Sequence, residues 1–345
     1  MSVFLTADLQ LHNHSSFGTL LPTGFSNRLQ DGIHALDQVL APAKKGDTIV
    51  VLGDLFETQR AVDTSVMFAV SEWIGRVRDK GVKLILVAGN HDHYSRSGTI
   101  HALKPFELLG SVTVVSDHAI LEIDGNQYIF FAYTDDTDAL KERLQHVVAA
   151  LGPKHVGKRF LCLHQGVSGA MLASSLFEGA LGIEDLHPDK FDHVFLGHFH
   201  KPQSLTDKVT YLGSPYQVTS DESGDVKRFI KVDRNGVITS IRTTGHQFHY
   251  LVFDQFDQAI ALEPGYYKVR CSTAHEVDRV STIARTLGVK AHPLLERPES
   301  MPTQRATAAA MNWDDAVRGW LSSKGRPDLV DEALERLSNA SIPQS

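Results

Sequence analysis

The chain has 345 residues, of which 22% are charged and 42% hydrophobic, and its net charge is −7. That length gives two or three domains with a sizeable core. The acid excess excludes a protein that holds polyanions by bulk basic charge, so any such contact must be local or metal-mediated.

The N-terminus MSVFLTADLQ lacks a basic region ahead of an apolar core, so no secretion signal is expected. No window approaches the ~18 uninterrupted apolar residues of a membrane helix, and a cytoplasmic protein is expected. Residues 3–7 (VFLTA) read as a short strand ending at Asp8, and the stretch to Gly24 is irregular and polar. Leu29, Ile33, Leu36, Val39 and Leu40 recur at helical spacing over 27–41, with Pro42 as the stop. Residues 47–52 (DTIVVL) make a buried strand punctuated by Gly53 and Asp54. A helix over 63–79 carries Val66, Val70, Trp73, Ile74 and Val77 on one face. Next comes VKLILVAGNHDH, an apolar run broken by Gly89 and followed at once by Asn90, His91 and Asp92. This alternation predicts a parallel sheet with right-handed crossovers. Its polar strand ends then collect on one edge, where α/β sheets bind ligands.

Short strands are expected at 112–115, 119–123 and 127–132, the last two joined at Asp124-Gly125-Asn126. A helix follows over 137–150. The strand RFLCL (159–163) ends at His164, and FDHVFL (191–196) ends in Gly197-His198-Phe199-His200. Cys162 and Cys271 both fall in strand-like runs and read as buried free thiols in a reducing compartment. Strands near 209–212, 226–232 and 237–242 suggest antiparallel structure at the edge of a second sheet. Residues 1–243 are therefore taken as one domain. Residues 244–296 read as a small α+β unit (strand, strand, a helix over 277–287, strand) and 297–312 as a linker. Helix patterns over 313–340 carry apolar stripes too short to be buried alone, so they fold back or dock on a partner.

The strand ends gather Asp8, Gln10, Asp54, Asn90, His91, His164, His198 and His200. Carboxylates, an amide oxygen and imidazoles suit divalent metals of intermediate hardness. Two metals about 3.5–4 Å apart need a bridging carboxylate, and Asp54 is the natural choice. His198 and His200, two apart, share one face of an extended segment.

The order D-x-Q, G-D, G-N-H-D, H and G-H-F-H resembles the calcineurin-like metallophosphoesterase superfamily, whose pattern is D-x-H, G-D-x-x, G-N-H-D/E, H and G-H-x-H. The resemblance covers residues 3–213. It implies a four-layer α/β/β/α sandwich carrying a small α+β capping domain and C-terminal helices. It also implies two divalent ions, manganese foremost, with iron, zinc or magnesium as options. By this likeness one ion is held by Asp8, Gln10, Asp54 and His200, and the other by Asp54, Asn90, His164 and His198. His91 would act as general acid, with Asp92 either holding its imidazole in the working tautomer or capping a turn. Gln10 departs from the family's histidine. His12 competes for that slot, but in a straight strand it lies roughly 13 Å from Asp8, which favours Gln10.

YLGSPYQ (211–217) and the order of parts are similar to the DNA-repair nuclease subunit of the SbcC–SbcD type, in a compact, phage-like form. That likeness implies an exonuclease or endonuclease acting in DNA repair and recombination. Its small domain would position DNA, and its terminal helices would dock on a coiled-coil ATPase; a homodimer is compatible with it. Lys201, Lys208, Lys227, Arg228, Lys268 and Arg270 would supply a local phosphate-tracking rim. Two rivals stand beside it: a cyclic-nucleotide or small phosphodiester hydrolase, and a catalytically weakened scaffold for a partner ATPase.

Overall fold

The computed structural model describes residues 1–57, 61–94, 100–152, 155–172, 175–296, 321 and 327–332. Residues 1–295 form one compact unit and 296–345 a second. In the second, Leu321 and Val330 are buried and Pro327–Leu329 forms a single 3₁₀ turn. The linker expected at 297–312, and most of the helices expected over 313–340, lie outside the described residues.

The larger unit begins with β1 (Val3–Thr6), α1 (Asn27–Leu40), β2 (Thr48–Leu52), α2 (Thr64–Asp79), β3 (Lys83–Val87) and β4 (Val112–Val115). These four strands are parallel and adjacent in sequence order. Both helices start where a side chain satisfies an orphan N–H. Ser26 accepts from the backbone of Leu29 at the head of α1, and Asp63 from Ser65 at the head of α2. Their apolar stripes, including Leu36 and Val39 of α1 and Trp73 of α2, pack into the core of this sheet. Each large side chain so buried contributes about 1.5–3 kcal/mol.

The second sheet uses β5 (His118–Ile123), β6 (Asn126–Phe131) and β7 (Arg159–His164), with α3 (Thr137–Ala150) between the last two. A small hairpin of β8 (Met171–Leu172) and β9 (Ser175–Leu176) precedes β10 (His193–Gly197), β11 (Gln203–Ser204) and β12 (Val209–Tyr211). The sheet order is β11-β12-β10-β7-β6-β5. Alternation along β6 explains the layering. Tyr128 and Phe130 join the core shared with the first sheet, whereas Ile129 and Phe131 pack with Leu140 and Leu144 of α3. The fold is a mixed α/β sandwich of two six-stranded sheets with helices outside them.

One expectation is corrected. β13 (Arg228–Val232) and β14 (Ile238–Arg242) do not edge the second sheet; they return to the first, where β13 runs antiparallel to β1. β12 does join the second sheet, but parallel to β10. Residues 213–227 carry the chain from one sheet to the other, a crossing that periodicity within single strands cannot reveal.

The last part of the unit is β15 (Gln247–Val252), a short α4 (Phe253–Asp257), β16 (Gly265–Cys271), α5 (Ala274–Leu287) and β17 (Lys290–Leu295). Its three strands are all parallel, in the order β15-β16-β17. They share a separate core of Phe253, Phe256, Tyr267, Val269, Val280 and Ala284. Thr273 caps α5, which therefore starts three residues before the expected position. Cys162 and Cys271 are buried and unbridged.

Candidate metal centre

The carboxyl ends of β1, β2, β3, β7 and β10 meet at one edge of the two sheets. The backbone there is unusual. Asp8, Gln10, Asp54 and His198 have φ of 55°, 41°, 54° and 107°, a region that side chains other than glycine enter rarely and at a cost. Two glycines make the approach possible. A Cβ on Gly89 would lie 2.1 Å from the Asp54 carboxylate, and one on Gly53 would lie 1.9 Å from the His164 ring. The segment after β1 runs beside the segment after β2, with the N–H of Asp8 and of Gln10 donating to the carbonyls of Gly53 and Asp54.

Asp8, Asp54 and His164 are fully buried, with one donor atom from each lying within 4.8 Å of the others. Asn90 Oδ1 is 2.8 Å from His198 Nδ1 and 3.1 Å from His164 Nε2, and that Nε2 is 3.3 Å from Asp54 Oδ2. Ligand atoms about 2.1 Å from one ion and at right angles are about 3.0 Å apart, so these separations match edges of one coordination shell. Gln10 and His200 complete the cleft that holds Asp54, Asn90, His91 and His198, about 670 Å³ in volume. Gln10 thus lines the cleft, while the ring of its competitor His12 packs edge-on to His14.

The electrostatics agree with a missing positive charge. Asp8 accepts from the N–H of His198 through Oδ1, but its buried Oδ2 has no partner. Burial, with Asp54 adding to it, pushes the Asp8 carboxyl up to about 6. Burial also raises Asp54, but the neighbouring His164 outweighs it and holds Asp54 at about 2. Burial drives His198 down to about 3, the neutral form that a ligand requires. Two further imidazoles have their tautomers fixed from behind. His164 Nδ1 donates to the Leu52 carbonyl at 2.8 Å, and His200 Nδ1 to Glu222 Oε1 at 2.8 Å, which leaves Nε2 of each as the nitrogen for a cation. Burial lowers the His164 pKa, but Asp54 outweighs it and raises it to about 9, so a cation there would displace a proton from Nε2. The donor set of carboxylates, an amide oxygen and imidazoles fits divalent ions. Bound there, they would polarise phosphoryl oxygens and lower the pKa of water.

The pairing of His91 with Asp92 is not what the structure shows. Asp92 is fully buried and accepts from the N–H groups of Asp54, Phe56 and Gly89, so it caps the turn under the centre. His91 instead donates from Nδ1 to the carbonyl of Glu57 at 2.7 Å, while its own N–H donates to Asp54 Oδ1.

The expected basic rim is corrected in part. Of its six members, Lys201 lines the cleft. Lys227 is buried and paired to Glu222 at 2.6 Å. Lys208 donates to the carbonyls of Pro188 and Phe191, Arg228 to that of Tyr211, and Lys268 lies over the Tyr250 ring. Arg270 is exposed on β16.

Sequence reasoning missed Glu222. It accepts from His200, Lys227, Ser214 and the backbone of Val218 and Thr219, and burial is outweighed by these partners, which hold it at about 2. Its tripeptide Ser-Asp-Glu (220–222) has no spacing relation to the histidines, so no sequence signal marks it.

A strained, buried cluster of carboxylate, amide and imidazole donors at the strand ends of a two-sheet sandwich defines a metal-dependent hydrolase class. Residues 1–202 match the calcineurin-like phosphoesterase family, and the chain belongs to it. It is a hydrolase acting on phosphoesters. Two solved structures are similar in part. A 5'-nucleotidase precursor from Thermus thermophilus shares 15% identity at a TM-score of 0.36, over 70% of this chain and 54% of that one. The nuclease MPE of Pseudomonas putida shares 15% identity at a TM-score of 0.32, over 69% of this chain and 87% of that one.

Proposed function

We propose that this chain is a two-metal phosphodiesterase acting on DNA, as the nuclease subunit of an SbcC–SbcD-like complex in DNA repair and recombination, with manganese as its preferred ion. Asp8, Gln10, Asp54 and His200 hold one ion and Asp54, Asn90, His164 and His198 the other. His91, fixed through Nδ1, gives its Nε2 proton to the leaving alkoxide. Lys201 meets a non-bridging oxygen or a neighbouring phosphate.

One observation carries the reading. The small β15–β17 sheet packs on the loop that walls the metal cleft, with Ser223 donating to the Phe248 carbonyl and Tyr250 reaching Asp221. An appended sheet at the rim of an open cleft suits a long substrate better than a small ester. A specific observation favours the small-ester rival: Asp221 and Asp225 also line the cleft and would repel flanking phosphates. Incubation with manganese, linear duplex DNA and bis-p-nitrophenyl phosphate separates the two. Cleavage of both supports the DNA reading; cleavage of the small ester alone favours the rival, and no cleavage favours a scaffold. Residues 313–340 dock on the coiled-coil ATPase in this reading. Deleting 305–345 should abolish ATPase pull-down while leaving phosphoesterase activity, and retained pull-down would contradict the docking.

A further inference from the structure

The small sheet contacts two segments that neighbour the metal centre in the chain, the loop that carries Glu222 and the segment that follows Gln10. Phe248 of β15 brackets the loop that carries Glu222. Its N–H donates to Gln217 Oε1 at 2.6 Å, and its carbonyl accepts from Ser223 Oγ at 2.7 Å. The ring of Phe248 and that of Tyr266 each lie 4.8 Å from the guanidinium of buried Arg28, which donates to the Val218 carbonyl in the same loop. Glu222, held between these anchors, aims His200.

The second contact is Phe17, in the segment that leaves Gln10. Its φ is 58°, a genuine outlier for an aromatic residue, and such backbone persists only where its surroundings over-determine it. His292 of β17 stacks on its ring at 3.9 Å, with Phe248 and Tyr266 at 5.5 and 5.4 Å. Lys290 and Asn27 donate to its carbonyl. Asn90, His164 and His198 stand instead on the ends of β3, β7 and β10, where the histidines meet Leu52, Asp54, Asp8, Tyr133, Phe199 and each other, and both meet Asn90.

We infer that the small sheet is a positioning element for one half of the metal centre. Through Phe248 and Phe17 it sets the ion site of Gln10 and His200 and leaves the site of Asn90, His164 and His198 alone. Phe17, Gln217, Ser223 and Phe248 are positioning residues here, none of them a ligand. The inference rests on the two-ion reading above.

The test is manganese titration of the metal-stripped full chain by calorimetry, alongside circular dichroism to follow the fold. Wild type is expected to take two ions. Phe17→Ala, and separately Gln217→Leu with Ser223→Ala, should weaken one site by about 10-fold or more and leave the other unchanged, the scale on which partners behind a ligand act. Phe17→Tyr keeps the stack and should restore both sites. His292→Ala, at an exposed position, loosens the same segment without opening the core and should show the same selective loss if Phe17→Ala fails to fold. Two undisturbed sites, or equal weakening of both in a folded variant, would overturn the inference. A wild type that takes a single ion would instead count against the two-ion reading, and the selective effect would fall with it.

Discussion

His91 and Asp92 are neighbours in the chain, yet the fold gives them different tasks. His91 reaches the cleft with its ring held by the Glu57 carbonyl. Its replacement by asparagine should lower turnover about 10²–10⁴-fold, the usual worth of a general acid. Manganese binding should survive, as measured by titration; a parallel loss of metal would contradict the role. Asp92 holds three backbone N–H groups, and a buried donor left without its acceptor costs about 1–3 kcal/mol. Asp92→Ala should therefore lower unfolding free energy by roughly 3 kcal/mol or more in urea denaturation, and an unchanged midpoint would contradict this. The strand-end side chains were legible because strand, glycine and ligand follow one another in sequence. Glu222 and the Glu57 carbonyl were not, because each meets its histidine only after the chain has turned back on itself.

At the level of elements, the parallel half of the first sheet could be read from periodicity, since each of its strands is followed by a helix or a clear break. The return of β13 to β1, with β14 outside it, could not, because nothing in those strands' own residues says which sheet they join. The tie between the small sheet and α1 was also hidden. It includes an ion pair from His246 Nδ1 to Asp31 Oδ1 at 2.8 Å, over two hundred positions apart in sequence. The hydrogen bond to Asp31 raises the His246 pKa, with burial and the nearby Lys290 and Arg28 opposing it. A raised histidine contributes its stability in full below the unfolded value of about 6.5 and loses it as pH climbs through the folded value. The melting-temperature gap between wild type and His246→Ala should thus be widest near pH 6 and close toward pH 9. A gap that is constant with pH would show the pair to be electrostatically inert.

On the scale of the whole molecule, acid excess and phosphoester chemistry are compatible because the positive charge that the site needs comes from ions held by the chain and not from its lysines. The buried orphan oxygen of Asp8, the neutral His198 and the three donors spaced about one coordination edge apart all describe a place prepared for cations. Composition leaves local or metal-mediated contact open, and the motif order points to the ligands. Which residues support the site's histidines is a property of the folded molecule, since the supports (the Leu52 carbonyl for His164, the Glu57 carbonyl for His91 and Glu222 for His200) lie far from them in sequence. Diffraction from manganese-soaked crystals, collected at the manganese edge, tests the centre most directly. Two anomalous peaks about 3.5–4 Å apart, flanking Asp54, are expected. A cleft that takes up no manganese, or a lone ion that leaves Asp54 and His198 without contact, would contradict it.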